Sequence, residues 1–600
     1  MKTNTINPLL LTDVYKLGHM VQYKPGTQRV FSHLVARSKK TFRVAVFFGL
    51  QYIIEKYLSI PLEQWMADEF FETYRDVLGI EPSDDVKQKI NSLIELGHWP
   101  LDIRAVPEGT VVDNGNVLMT IENTIDGFHW CVGFVESLLL KVWYPTTVAT
   151  CCLHYRMTVE EFYNKSVDAT SHWLKLYAVH DFGYRGDTSE ESAMISGAAH
   201  LLSFTGSDTI VAKKFINDYF LPSNPKENFM SSVPASEHSV MCSYGREDEI
   251  NAFRHMLATY PTGIVSIVSD TYDVYNVVTS IAKQLYDDIV SRDGKVVFRP
   301  DSGDPKYVLC GCIQSINHHF KYTTEEYQDK HLKNYEDGDI LYSTFDSEYY
   351  LVKIQDGKKI AVSYEPTNEE KGLLRLLDEL FGSTYNERGY KVLNPKVGLI
   401  YGDGMYLQRY RDILHTMQQM GYSVQNLVVG VGGLLRYHSR DTLGFAIKAT
   451  EVHIDGEVVD IWKDPITDPG KRSFRGRVGL VAQEPSEYEG RENIEDVMTY
   501  TTVNMDKEQF DSKENILQPV FLNGQLQRRH PFDEVRNRVD EYIVGYYDRI
   551  TEDDDLSFNS ADVMKYVGAY LTSFMKLPVQ SLKPMDGPSP VIHYPNFKKS

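Results

Sequence analysis

The chain is poor in cysteine and in positive charge. Six cysteines in 600 residues are too few for a disulfide framework, and adjacent Cys151 and Cys152 in a helical run read as buried thiols. Lysine and arginine number 62 against 83 aspartates and glutamates, a formal net charge of −21. That balance excludes sequence-independent nucleic-acid binding, in which lysine and arginine displace phosphate counterions, and it argues against docking on an anionic membrane. No apolar run approaches the roughly 18 residues of a membrane span. The opening stretch, MKTNTINPLLLTDVYK, has one short apolar patch ended by Asp13 and no small-residue cleavage site, so a cytoplasmic location is expected. Repeats of 20–50 residues and low-complexity tracts are missing. So are the Walker A and GxGxxG patterns, which removes support from P-loop and Rossmann readings.

What is present looks like an ordinary folded protein: 42% hydrophobic and 24% charged residues, with 39 tyrosines and 27 phenylalanines. Six hundred residues exceed one ordinary core. From about residue 174, five short apolar runs each end in a polar or glycine-rich loop followed by a helical pattern: LKLYAVHDFG (174–183), IVSIVSD (264–270), KVVFRPDSGDP (295–305), VGLIYGDG (397–404) and LVVGVGG (427–433). That alternation predicts parallel strands with crossover helices, and a barrel is favoured over an open sheet. The first 170 residues mix helices and strands, with a hairpin expected at Asn114-Gly115. A polar, tyrosine-rich stretch at 321–392 reads as an insertion containing a hairpin that turns at Asp356-Gly357. Residues 445–462 read as another hairpin, and the tail beyond about 545 as peripheral. The expected fold is α/β: a central parallel barrel-like domain (171–320 and 393–445), a second α+β domain built from the terminal segments (1–170 and 446–600), and the 321–392 surface insertion.

In such folds chemistry gathers at the carboxyl ends of the strands, where Asp181, Asp270, Arg299, Asp301, Asp403 and Gly430 fall. Gly402-Asp403-Gly404 and Gly430-x-Gly432-Gly433 allow backbone N–H groups to approach a phosphate. Arg299 and Asp301 put a phosphate-binding cation and a carboxylate two residues apart. HDFGYRG (180–186) sends an aromatic, a cation and two glycines out of one strand. Basic residues concentrate at Arg436, Arg440, Lys448, Lys463, Lys471, Arg472, Arg475 and Arg477, which suggests a local anion site. Cys310-x-Cys312 with His318-His319 matches no common zinc spacing and reads as buried thiols.

Ten motifs in order, NPLLLTDVYKLGH (7–19), HDFGYRG (180–186), SDT (207–209), PASEHS (234–239), VSDTYDVYN (268–276), RPDSGDP (299–305), GDG (402–404), GGLL (432–435), SRD (439–441) and KDPITDPGKRS (463–473), resemble the type II phosphoribosyltransferases, and within them the nicotinamide phosphoribosyltransferases. The resemblance implies transfer of phosphoribose from 5-phosphoribosyl 1-pyrophosphate to nicotinamide in NAD salvage. A nicotinate-specific enzyme, or a non-catalytic binding protein on the same fold, is the alternative. It further implies a homodimer with shared sites. The nicotinamide ring would lie between Phe182 and Tyr15 of the partner subunit, its carboxamide on Asp208 with Ser266 and Arg299 nearby. Arg185, Gly402, Asp403, Gly432 and Gly433 would surround the ribose and 5-phosphate, and Asp301 the ribose hydroxyls. Arg440, Lys448 and Lys471 would gather pyrophosphate. Asp270 supplies another carboxylate, and His238 would be phosphorylated by ATP. Mg²⁺ would be held mainly through substrate phosphates. The insertion, the GVGG loop and the Arg436-Tyr437 pair depart from the family pattern.

Overall fold

The structure is a computed structural model that describes residues 6–467, 471–483 and 499–551. The tail expected to be peripheral, from 552 on, and residues 468–470 of the KDPITDPGKRS motif lie outside the described residues. The five apolar runs form one sheet. Its order is Val179–Asp181, Leu427–Val431, Val397–Tyr401, Asp293–Arg299 and Thr262–Val268, and every neighbouring pair is parallel. Crossover helices cover its outer face. In Leu407–Gln419, for example, Tyr410, Ile413, Leu414 and Met417 recur at helical spacing and are buried.

The open side of this sheet is spanned by two short extended segments that carry no apolar run. Asp181 N–H donates to Gly206 O at 3.1 Å, and Ser207 N–H donates to Ser231 O at 3.1 Å. On the far edge Ser266 N–H donates to Pro234 O at 2.9 Å. Residues 205–208 and 231–236 thus link the two edge strands, and the barrel-like arrangement follows.

A second sheet, antiparallel throughout, interleaves both ends of the chain. Its order is Glu457–Asp460, Phe445–Ile454, Thr27–Ala36, Val117–Asn123, Leu101–Ala105, Gln518–Leu522 and Gln525–Leu526. The turn at Asn114-Gly115 forms, but it closes no hairpin. Val111–Asp113 pairs with Val44–Val46, whereas Val117–Asn123 enters the large sheet. Alternation marks strands, but it does not say which sheet each one joins. A buried ion pair fastens the interleaved segments: Arg477 donates to both Glu122 oxygens at 3.0 and 2.7 Å and to Glu451 at 2.9 Å. Arg477, expected in an anion site, is therefore consumed within the fold.

The insertion begins and ends earlier than 321–392. The helix after Asp293–Arg299 stops at Cys310, and Gln314–Ile316 already belongs to a four-stranded sheet with Ile340–Ser343, Glu348–Gln355 and Lys358–Ser363. The last two strands are the expected hairpin, with positive φ at Asp356 and Gly357. This unit has its own core of Ile316, Phe320, Leu332, Leu341, Tyr350 and Val352. Helix Asn368–Phe381 instead buries Leu373, Leu374, Leu376 and Leu377 in the main core. The neck is a back-to-back pair of glycines. Gly311 and Gly372 have φ of 66° and 73°, and a Cβ on Gly372 would lie 2.3 Å from Gly311 N. Cys310 is buried as expected, but Cys312, just past the neck, is exposed.

Two outcomes are expected. Replacing residues 313–366 with a short Gly/Ser linker leaves a folded protein, because the chain leaves and returns at touching residues. Replacing 321–392 does not, since four core leucines are lost at about 2–5 kcal/mol each; circular dichroism and thermal melting of both variants separate the cases. Glu122→Gln costs about 3–5 kcal/mol at neutral pH by leaving Arg477 half-paired in the interior. Burial alone would raise the Glu122 carboxyl, but Arg477 and Lys507 outweigh it and hold it down at about 2. A depressed carboxyl stabilises above its unfolded value near 4.5 and loses that contribution as pH falls toward 2. The gap between the two proteins in urea melts therefore closes over that window.

Candidate functional site at the strand ends

Three loops meet at the carboxyl rim of the parallel strands. Phe182 leaves Val179–Asp181 with its ring 4.9 Å from that of His180, and the Arg299 guanidinium lies 5.0 Å from the Phe182 ring centroid. The ring presses on the strand ends opposite: a Cβ on Gly430 would stand 2.1 Å from it. A Cβ on Gly402 would stand 3.5 Å from Phe182 and 3.6 Å from Arg299 Nε. At 430 only glycine leaves room for this aromatic floor, whereas a Cβ at 402 would sit in ordinary contact with it.

Asp208 faces the same hollow, 45% exposed, and its Oδ1 meets His180 Nε2 at 2.9 Å. The Ser232 hydroxyl donates to the same oxygen. Burial would raise this carboxyl, but His180, Ser232 and Arg299 together hold it below the usual aspartate range. It is an ionised acceptor at neutral pH. Ser266 Oγ and Arg299 Nε are buried without a hydrogen-bond partner among the described residues.

Beside this hollow stands a second cluster. His238 Nε2 lies 3.2 Å from Asp270 Oδ1 and 3.7 Å from Asp301 Oδ1. Asp270 Oδ2 accepts from Asp301 N–H at 3.0 Å and from the Ser302 hydroxyl. The two carboxyls split. Burial works to raise Asp270, but Ser302, the Asp301 amide and His238 lower it overall, whereas burial and the charge of Asp270 raise Asp301. His238, Asp270 and Asp301 bring their ligand atoms within 4.8 Å of one another, and the surplus negative charge fits a cation.

The glycine loop completes the rim. A Cβ on Gly186 would lie 3.3 Å from Gly433 Cα, and one on Gly432 would lie 3.5 Å from Phe182 O. Arg185 and Asp403 are exposed beside it. The structure thus brings together Phe182, Asp208, Ser266, Arg299, Gly402, Gly432 and Gly433, with His238, Asp270 and Asp301 adjoining. Within one chain it does not add Tyr15, which is 64% exposed on Val14–Val21 and packs edge-on to His19. Lys448 sits on Phe445–Ile454, within electrostatic reach of Arg37, Lys463 and Arg440, and Arg440 pairs with Asp441. Neither shares a hydrogen bond or ion pair with the rim group among the described residues. Lys471 is exposed on the short stretch that follows residue 470.

The expected basic cluster is largely neutralised. Arg436 is buried against Asp181 and Asp187, Arg475 lies 3.4 Å from Asp460, and Arg472 lies 3.8 Å from Asp464. Sequence reasoning missed His180 and Ser232, the two groups that orient Asp208. His180 stands inside a recognised motif, but nothing in the spacing marks it as a partner of a residue 28 positions on.

Two family models match the chain. One, the nicotinate phosphoribosyltransferase (NAPRTase) family, spans residues 177–514, and the other, the N-terminal domain of nicotinamide phosphoribosyltransferase, spans 7–79. A protein of Xanthomonas campestris pv. campestris (strain 8004) named nicotinamide phosphoribosyltransferase is 34% identical over 541 residues, 89% of this chain and 98% of its own. Proteins of the same name from Acinetobacter baylyi and Mycoplasma pneumoniae are 32% and 30% identical, covering 90% and 78% of this chain and 99% and 94% of theirs. The model over 177–514 takes in all five parallel strands and the whole rim, so both the extent of the match and the residues inside it lead to one statement: the chain belongs to the nicotinate phosphoribosyltransferase (NAPRTase) family.

Proposed function

We propose that this protein transfers phosphoribose from 5-phosphoribosyl 1-pyrophosphate to nicotinamide, forming nicotinamide mononucleotide and pyrophosphate in NAD salvage. The observation that carries the choice of base is the ionised Asp208. A carboxylate accepts a hydrogen bond from a carboxamide NH₂ and repels a carboxylate in the same place. Phe182 gives the flat ring a face, the Arg299 guanidinium lies 5.0 Å from the Phe182 ring, and the unpartnered Ser266 hydroxyl suits a further contact. The names of the relatives agree with this reading.

The pyridine nitrogen is already a nucleophile, so the barrier lies in breaking the C1–O bond and moving charge onto pyrophosphate. Gly402, Gly432 and Gly433 offer backbone approach to the 5-phosphate with Arg185 and Asp403 near, and Asp301 suits the ribose hydroxyls. Bound Mg²⁺ would neutralise charge on the leaving group, held mainly by substrate phosphates with the Asp270–Asp301 pair at hand. His238 donates through Nε2 to Asp270 at 3.2 Å, which leaves its lone pair on Nδ1, and its side chain is 44% exposed, which suits phosphorylation by ATP. In a homodimer, Tyr15 of the partner subunit would cover the second face of the ring, and Arg440, Lys448 and Lys471 would gather pyrophosphate across the interface. No helix among the described residues is long and apolar enough to cross a membrane, and action in the cytoplasm is part of the proposal.

Pyrophosphate release on mixing the protein with 5-phosphoribosyl 1-pyrophosphate and nicotinamide, repeated with nicotinate, tests the reading. Release with nicotinamide is expected, with nicotinate at least about ten-fold poorer in kcat/KM. Preference for nicotinate would establish the other base, and no release with either would establish a non-catalytic protein. Asp208→Asn narrows the ratio by about ten-fold, because an amide donates as well as accepts; an unchanged ratio places the carboxamide elsewhere. Label from γ-labelled ATP, acid-labile and base-stable, is expected on the wild type and lost in His238→Ala. If the wild type takes no label and ATP leaves turnover unaltered, there is no coupling through His238.

A further inference from the structure

Arg436 lies behind the rim with its side chain shielded from solvent, yet it contacts both the loop that bears Phe182 and the glycine loop at 432–433. Its side chain is 2% exposed, as is that of Asp187, and Asp181 is fully buried. One guanidinium nitrogen reaches the two Asp181 oxygens at 2.8 and 2.9 Å. Nε donates to Asp187, and the remaining nitrogen donates to Gly432 O at 3.4 Å. The plane lies flat on the backbone between the two carboxylates: a Cβ on Gly183 would sit 2.0 Å from Arg436 Cζ.

Each partner is itself fixed to a different element. Asp181 accepts from Gly183 N–H at 2.8 Å and from Ser207 Oγ at 3.2 Å, and its carbonyl accepts from Asp208 N–H at 2.9 Å. Asp187 accepts from Tyr144 on the long helix Trp143–Ser166 at 2.8 Å and from Ser196 on Glu190–His200 at 3.0 Å. Phe182 N–H donates to Val431 O at 3.0 Å. The loop bearing Phe182, the segment bearing Asp208 and the glycine loop at 432–433 therefore share one fastener. A planar fork with several fixed donors can bridge two carboxylates and a carbonyl at once, whereas an ammonium cannot.

On the reading of the site given above, we propose that Arg436 is a positioning residue that locks the nicotinamide pocket and the phosphate-binding glycine loop into one register, so that both substrates are held for in-line transfer. The cluster holds two carboxylates and one guanidinium. Asp187→Asn relieves a negative charge and keeps the shape, so it is the gentler probe. Arg436→Lys keeps the charge and removes the fork.

The experiment measures thermal midpoint, KM for each substrate and kcat by pyrophosphate release, for wild type, Arg436→Lys and Asp187→Asn. The expected result is folded variants in which both KM values rise by about ten-fold or more while kcat falls less. Both pockets shift together, although neither substrate touches the altered residue. Arg436→Gln is expected to be worse than Arg436→Lys in melting, yet no better in KM. If either Arg436→Lys or Asp187→Asn is folded and keeps both KM values at the wild-type level, or raises only one of them, the proposal is overturned, whatever its melting temperature. A lower midpoint with unchanged KM is the mark of a purely structural pair. Wild-type release is the control that separates the two claims: if it is absent, the reading of the site fails, and if it is present, the variants alone judge Arg436.

Discussion

Parallel strands deliver their carboxyl ends to one rim, and the chemistry of this protein hangs from that constraint. Phe182, Gly402 and Gly432 follow immediately on strands of one sheet, Arg299 ends another of its strands, and Asp270 lies two residues past a fifth. Residues as far apart in sequence as Asp208 and Gly432 therefore come to share one hollow. The two short segments at 205–208 and 231–236 matter for the same reason. They are poor strands by composition, but by pairing across the open side they carry Asp208 and Ser232 to the rim and lead directly into His238.

Charge is handled locally. In a chain of net charge −21, two of the basic residues in the 436–477 stretch, Arg436 and Arg477, are buried and serve inward. Arg477 knits the terminal segments through Glu122 and Glu451, and Arg436 knits the rim loops through Asp181 and Asp187. Buried arginines of this kind satisfy carboxylates that would otherwise be costly in the interior. They also fix the geometry of loops that carry few apolar contacts of their own. At the rim the balance is left uneven on purpose of neither sign: Arg299 keeps an unpartnered nitrogen, while Asp270 and Asp301 keep more negative charge than His238 offsets.

The insertion shows how a barrel accepts extra chain. It has a small core separate from the main one, and it joins the barrel where Gly311 and Gly372 touch. Entry and exit at one point impose little strain on either side. The helix that follows, Asn368–Phe381, is the crossover helix that the Asp293–Arg299 strand needs. It packs on the barrel although 68 residues, 300–367, separate it from that strand.

The linear sequence was enough to place the five strands, the residues at their ends and the family, because apolar period and motif order are local properties. It also determined the hairpins at Asp356-Gly357 and at 445–460, where turn chemistry and alternation act within a few residues. Partnership between distant residues is different. The split at Asn114-Gly115 between two sheets, the true edges of the insertion, the hold of His180 and Ser232 on Asp208, and the conversion of Arg436 and Arg477 from expected anion ligands into internal fasteners were all decided by the tertiary structure. An arginine reads the same in sequence whether it meets a phosphate or a buried aspartate; which one it meets depends on what the fold brings within 3 Å of it.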